Sequence, residues 1–264
     1  MTIIQSVILG IVEGITEFLP VSSTGHLILF DRLIGIESST FSTSFNIAIQ
    51  LGAILAVVVL YWRKFFPVLT NSRELVSNTD TWKKVFAAFI TTAIIGFILY
   101  KIIKGFLLSN AVLTLWSLFL GGAALIIFEL WHRKNKSENS EISYKNAFII
   151  GLVQAISAIP GVSRSGATMV GGLILGIKRV TIVEFSFFLA VPTMAAATAY
   201  DLYKSAGSFS FSDFHLLAIG FIVSFVVAAL SIKWLLYFVK NHTFISIGIY
   251  RIAAALIFWL FIVR

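Results

Sequence analysis

Cysteine is absent from this sequence, which removes disulfides, thiolate nucleophiles, zinc–thiolate sites and iron–sulfur clusters in one step while leaving the compartment open. Charge is scarce too. Asp, Glu, Lys and Arg make up 12% of the 264 residues against 58% hydrophobic residues, so most of the chain cannot be a water-facing surface. No basic stretch precedes the first apolar run, and that run carries two glutamates, so no cleaved signal peptide is expected.

Long apolar runs are what the sequence has instead: Phe41 to Trp62, Val85 to Tyr100, Ala111 to Trp131, Thr181 to Tyr203, Phe214 to Val239 and Thr243 to Val263. Each is long enough to cross a bilayer as a helix, with Val85 to Tyr100 needing a few flanking residues. The formal charge of +8 sits in short connections between these runs, which suits membrane orientation and anionic lipid and excludes nucleic acid as the partner. Trp62, Trp82, Trp131, Tyr61, Tyr100, Tyr203 and Tyr237 lie near run ends as an interfacial belt.

Self-comparison exposes a repeat. Gly10-Ile-Val-Glu-Gly-Ile-Thr-Glu-Phe-Leu-Pro-Val-Ser-Ser-Thr-Gly25 overlays Gly151-Leu-Val-Gln-Ala-Ile-Ser-Ala-Ile-Pro-Gly-Val-Ser-Arg-Ser-Gly166, 141 positions later, with V-S-x-[ST]-G beside a proline in both. Each copy opens with an apolar segment of about 18 residues, is interrupted by proline, serine and glycine, and resumes with a shorter segment ending near Gly35 or Gly176. This predicts a re-entrant helix–loop–helix hairpin followed by three transmembrane helices in each half. The expected fold is therefore an all-α polytopic membrane protein, one domain over 1–264, with repeats at approximately 1–132 and 144–264. An odd number of crossings per copy makes the topology inverted, which lets the two hairpin tips meet near the midplane.

Cations orient the chain. Arg63, Lys64, Arg73, Lys83, Lys84, Arg133, Lys134, Lys136, Lys145, Lys178, Arg179 and Lys240 fall on one side, against Arg32, Lys101, Lys104, Lys204 and Arg264 on the other, with Lys233, Arg164 and Arg251 intramembrane. The first side is then cytoplasmic and both termini face outward.

Polar chemistry gathers at the tips. Glu13 and Glu17, at i and i+4, share one helix face, and two carboxylates in apolar surroundings call for a divalent ion, a basic group or a shared proton. After Pro20 come Ser22, Ser23, Thr24, Gly25 and His26: hydroxyls and free N–H groups at a helix start bind anions, although Ser and Thr are also ordinary caps. His26 suits general acid/base work or attack on phosphorus. The second tip supplies Ser163, Arg164, Ser165 and Gly166, in which the guanidinium either pairs with Glu17 or grips phosphate oxygens. Phosphoryl transfer on an amphiphilic phosphate ester fits the set. Gln50, Asn46, Glu184 and Arg251 are polar groups within or near the spans that either pair structurally, the favoured role, or line the cavity. Glu129, Glu138 and Glu141 read as solvated loop or interface charges, and His132, His215 and His242 as uninvolved.

E-G-I-T-E-F-L-P-V-S-S-T-G-H at Glu13 to His26 and P-G-V-S-R-S-G-A-T at Pro160 to Thr168 resemble the two signature regions of the undecaprenyl-diphosphate phosphatase family, bacitracin-resistance type. F-N-I-A-I-Q-L-G-A-I-L-A at Phe45 to Ala56 and E-F-S-F-F-L-A-V-P-T-M at Glu184 to Met194 extend the resemblance over nearly the whole chain. It implies an inner-membrane enzyme that removes the terminal phosphate of undecaprenyl diphosphate, recycling the carrier lipid for peptidoglycan and conferring bacitracin resistance. It also implies a divalent cation, usually Mg or Ca, on Glu13 and Glu17, with Glu17, Ser23, His26 and Arg164 catalytic and Ser22, Thr24, Gly25, Ser163, Ser165 and Gly166 around the substrate. Either Ser23 or His26 is the nucleophile.

Two other readings remain. A lipid or ion transporter uses the same inverted-repeat architecture. The phosphatidic-acid-phosphatase type has a P-S-G-H loop resembling V-S-S-T-G-H here, yet it also needs a histidine after its S-R motif, and none follows Arg164 before His215. Oligomeric state is not set by the sequence, a homodimer being compatible with it.

Overall fold

The structure is a computed structural model that describes residues 1–37, 39–66, 72–102, 111–132, 139–204 and 214–262. Lys104, Arg133, Lys134, Lys136, Glu138 and Arg264 lie outside the described residues. Within them the chain is helical, with one isolated bridge between Asn139 and Ile177. The elements are α1 (Ile3–Thr16), α2 (Ser23–Leu33), α3 (Thr40–Leu60), the one-turn α4 (Trp62–Phe65), α5 (Ser72–Ile102), α6 (Ala111–His132), α7 (Tyr144–Gln154), a 3-10 turn (Ala155–Ala158), α8 (Arg164–Ile174), α9 (Arg179–Lys204), α10 (Phe214–Asn241) and α11 (Ile245–Ile262).

Local signals set the boundaries. Thr2 with Gln5, and Ser39 with Ser42, form reciprocal capping boxes that satisfy the first amides of α1 and α3. α2 and α8 end at Gly35 and Gly176, whose φ of 70° and 75° suits a residue without Cβ. Five helices, α3, α5, α6, α9 and α10, are long and apolar enough to cross a membrane. The weak run at Val85 is completed as expected from its flanks, the span being Asn78–Ile98 within α5. The sixth predicted crossing, α11, has a shorter apolar stretch, Ile245–Phe261. The first hairpin arms are also shorter than their apolar segments, because α1 stops at Thr16 and α7 passes into the 3-10 turn at Ala155. At 1.5 Å per residue, α1 and α7 reach about 21 and 16 Å, well short of a hydrocarbon core of about 30 Å.

Exposed apolar side chains such as Phe97, Leu120, Ile127, Leu230 and Phe261 ring the outside, as lipid contact requires of a multi-pass membrane protein. Inside, helices approach through small residues, since lipid itself offers no hydrophobic drive for association. α10 packs against both α1 and α3, α5 against α7, and α6 against α11. At Gly10 in α1 a Cβ would come within 2.8 Å of the Gly220 carbonyl of α10. At Gly151 in α7 a Cβ would collide with the Ala88 carbonyl of α5. Phe18 and Phe187 meet edge to face at 5.4 Å between ring centroids, sealing the core behind the first tip.

One sequence expectation fails outright. Glu129 is not a solvated interface charge but fully buried, with 0% exposure. Both its oxygens take the Arg179 guanidinium, and Oε1 also accepts the Phe244 amide at 3.0 Å. Arg179, counted above as a loop cation, is thus the partner that makes a buried carboxylate tolerable, and it stacks 4.7 Å from the Phe244 ring.

Candidate active site

Helix α1 ends one residue before Glu17, whose amide still donates to the Glu13 carbonyl at 2.9 Å, and the chain then turns through Pro20 to Ser22. Ser22 has φ of 72°, a left-handed conformation unusual for a residue with a Cβ, and it caps α2 by accepting the Gly25 amide at 3.3 Å. The second tip turns at Gly161, φ 89°, where a Cβ would come within 2.5 Å of the Thr114 carbonyl. Ser163 then caps α8 through the Gly166 amide at 3.1 Å. Both hydroxyl clusters therefore stand at helix N-termini, where amide groups and the helix dipole favour anions.

The two tips touch. The Ser165 hydroxyl donates to the Leu19 carbonyl at 2.9 Å and lies 2.9 Å from that of Ser163. Arg164 Nη2 meets Glu17 Oε1 at 3.2 Å, and Nη1 donates to the Ser186 carbonyl of α9 at 3.3 Å. Glu17 Oε2 accepts the hydroxyl of Ser23. One carboxylate thus holds a hydroxyl from its own tip and a guanidinium from the other.

A cavity of about 180 Å³ opens on this cluster, lined by Glu17, Ser22, Ser23, Thr24, Ser163 and Arg164, together with Gln50, Ser157, Val162 and Met194. Gln50 therefore stands on the cavity wall, the second of the two roles open to it from the sequence. Ser157 carried no separable signal, since a serine in an apolar arm before a proline has many ordinary explanations. Glu13, Gly25, His26, Ser165 and Gly166 do not line the cavity. Val162 and Ser163 also border a second, apolar cleft of about 210 Å³, walled by Ala124, Leu125, Val153, Ile156 and Val170 among others. The guanidinium and hydroxyl chemistry thus has an apolar neighbour across two residues.

His26 is turned away from the cavity. Its Nδ1 is 2.8 Å from the Ser22 carbonyl and its Nε2 is 2.9 Å from the Tyr250 hydroxyl of α11. A carbonyl only accepts, so Nδ1 carries the proton and Nε2 accepts from Tyr250. Tyr250 is a contact that no spacing in the sequence announces, because it lies 224 residues away.

Glu13 is 0% exposed and both its carboxyl oxygens lack a hydrogen-bond partner, one turn from Glu17. Unsatisfied hard oxygens beside a second carboxylate suit a divalent cation such as Mg or Ca. No group of three or more His, Asp or Glu is clustered for a metal among the described residues, so substrate oxygens would have to complete the coordination.

Comparison with known proteins agrees across the chain. The family described as Bacitracin resistance protein BacA matches residues 6–257. A protein of Sulfurihydrogenibium sp. (strain YO3AOP1) named undecaprenyl-diphosphatase is 51% identical over 264 residues, covering 98% of this chain and 99% of its own. Proteins of the same name from Aquifex aeolicus and Persephonella marina are 50% and 49% identical, each covering at least 98% of both chains.

Proposed function

The chain belongs to the bacitracin resistance protein BacA family, and from that premise we propose that its two tips form the phosphatase site that converts undecaprenyl diphosphate to undecaprenyl phosphate. It is a lipid-diphosphate hydrolase of the membrane, and by consuming the diphosphate it confers bacitracin resistance. The observation that carries the site is the cavity-facing Ser23 hydroxyl bonded to Glu17, whose other oxygen is held by Arg164.

The chemistry follows from those contacts. Arg164 and the amides at the α2 and α8 N-termini bind the diphosphate oxygens. Ser23 Oγ attacks the terminal phosphorus in line with the bridging oxygen, and its proton passes to Glu17 Oε2 as the new O–P bond forms. The bond from phosphorus to the bridging oxygen breaks, and the lipid monophosphate leaves. Water then attacks the phosphoserine, its hydroxyl going to phosphorus and its proton to Ser23 Oγ as the Ser23 O–P bond breaks; inorganic phosphate departs and Glu17 gives up its proton to solvent, restoring both residues. Ser23 is preferred over His26 as nucleophile because His26 has both ring nitrogens engaged and stands behind Ser22. A divalent cation held by Glu13 and Glu17 would supply charge neutralisation for the diphosphate. The isoprenyl tail runs into the apolar cleft beyond Val162 and Ser163.

The inverted repeat, with copies at approximately 1–132 and 144–264, belongs to the same proposal. In its support, positions 141 apart take the same parts: Gly10 and Gly151 at close helix contacts, Ser22 and Ser163 as caps, Gly35 and Gly176 as terminators. Each first arm packs on the second long helix of the opposite half, α1 on α10 and α7 on α5. Both termini on the outer face of the inner membrane, as the cation distribution indicates, complete the topology.

The test is phosphate release from undecaprenyl diphosphate by the detergent-solubilised protein. Ser23→Ala, Glu17→Ala and Arg164→Ala are expected to abolish it, while a transporter would leave the lipid diphosphate intact. Full release by any of these variants overturns the assignment.

A further inference from the structure

Arg251 of α11 is 2% exposed, and among the described residues no carboxylate forms an ion pair with it. Its guanidinium is spent on four carbonyls instead: Pro20 at 3.0 Å, Gly161 at 2.9 Å, Ser117 at 3.3 Å and Leu118 at 3.4 Å. The last two anchor it on α6. The first two belong one to each tip.

Pro20 and Gly161 stand 141 positions apart, so they are corresponding points in the two halves of the sequence alignment. Each lies three residues before a group at the cavity, Ser23 in the first tip and Arg164 in the second. A buried carbonyl left without a donor is costly, and at these turns the helices offer none. One planar fork satisfies both at once, which a lysine ammonium on a flexible stem cannot do in the same geometry. The space is reserved for it: a Cβ at Gly121 would strike the guanidinium, and one at Gly122 would come 3.0 Å from the Arg251 Cβ. The preceding residue, Tyr250, holds the first tip at a second point through His26.

We propose that Arg251 is a positioning residue for the hydrolysis, a clamp from α11 that holds the two tips in register so that Ser23 and Arg164 face the same diphosphate. Its guanidinium touches none of the reacting atoms, although Arg251 also borders the apolar cleft. The inference rests on the phosphatase reading of the site, but part of its test does not depend on activity.

Because the chain has no native cysteine, a Pro20→Cys/Gly166→Cys pair reports on the tips alone. A Cβ at Gly166 falls 3.3 Å from that of Pro20, close enough for a disulfide after slight adjustment. The rate of its oxidation is measured with Arg251 present and in Arg251→Lys and Arg251→Met backgrounds. Without the cysteines, kcat, KM and thermal midpoint are measured for Arg251→Lys.

The expected result is cross-linking about tenfold slower without the arginine, as the effective concentration of one tip at the other falls. In Arg251→Lys, kcat of the folded protein is expected to fall about a hundredfold from misplacement of the reacting groups, far more than KM changes, while the thermal midpoint drops because at least one tip carbonyl loses its donor. Cross-linking at an unchanged rate overturns the clamp, whether or not the thermal midpoint drops, because Arg251 would then only join α11 to α6. If Arg251→Met does not fold, Arg251→Lys decides. Should the protein release no phosphate at all, the phosphatase reading fails while the cross-linking rate still judges the clamp.

Discussion

Ser23 and His26 stand three residues apart, both beside the break in the first hairpin, and only their surroundings tell them apart. Ser23 faces the cavity with its hydroxyl on Glu17, whereas His26 is fastened between the Ser22 carbonyl and Tyr250. Ser23→Ala is therefore expected to lower kcat at least about a thousandfold, as loss of a nucleophile does. Tyr250→Phe removes one bond from His26 and should cost less than tenfold, a difference that steady-state phosphate release resolves. At the same scale, Glu129→Ala leaves the half-buried Arg179 guanidinium and the Phe244 amide without their acceptor and should destabilise the protein by about 1–3 kcal/mol. A lowered thermal midpoint in detergent, with the kcat of the surviving folded fraction preserved, is the corresponding readout.

At the scale of elements, the short arms of the hairpins matter as much as the long spans. Their lengths do not reach across a bilayer, and their first arms reach the opposite half through glycines. Gly10→Val and Gly151→Val should each destabilise by at least about 1–3 kcal/mol, the range for overpacking, because backbone carbonyls block the added atoms. The check is recovery of folded protein and its thermal midpoint. The apolar cleft gives a different prediction. Ala124→Phe narrows it without touching the Glu17, Ser23 and Arg164 cluster, so KM should rise for long polyprenyl diphosphates and change little for short ones. An equal effect on both would remove the cleft as the tail site.

For the whole molecule, the cation distribution and the inverted repeat predict which loops face outward. Single cysteines introduced into this cysteine-free chain test that directly: Glu37→Cys should react with an impermeant maleimide in right-side-out vesicles, and His242→Cys only after permeabilisation. Both positions are exposed. The cation proposal belongs here too, since Glu13 and Glu17 are only part of a coordination sphere. Chelator should stop phosphate release, and Mg or Ca should restore it. Activity unaffected by chelator would leave the unsatisfied Glu13 oxygens to a shared proton.

What the sequence determined by itself was the pattern that lipid imposes. Apolar runs must be long to span, helices must break where proline and serine interrupt them, and duplicated chemistry stays visible as duplicated letters, so the elements and both polar tips were legible in order. Beyond the Arg164–Glu17 contact, which the meeting of the two tips already suggested, the tertiary structure decided the pairings. It placed Glu129 against Arg179, put Gln50 and Ser157 on the cavity wall, turned His26 toward Tyr250, and aimed Arg251 at one carbonyl from each tip. The reason is physical: a buried charge or carbonyl is tolerated only when a partner arrives, and these partners come from residues 50 to 231 positions away, where neither helical periodicity nor the repeat pairs one with the other.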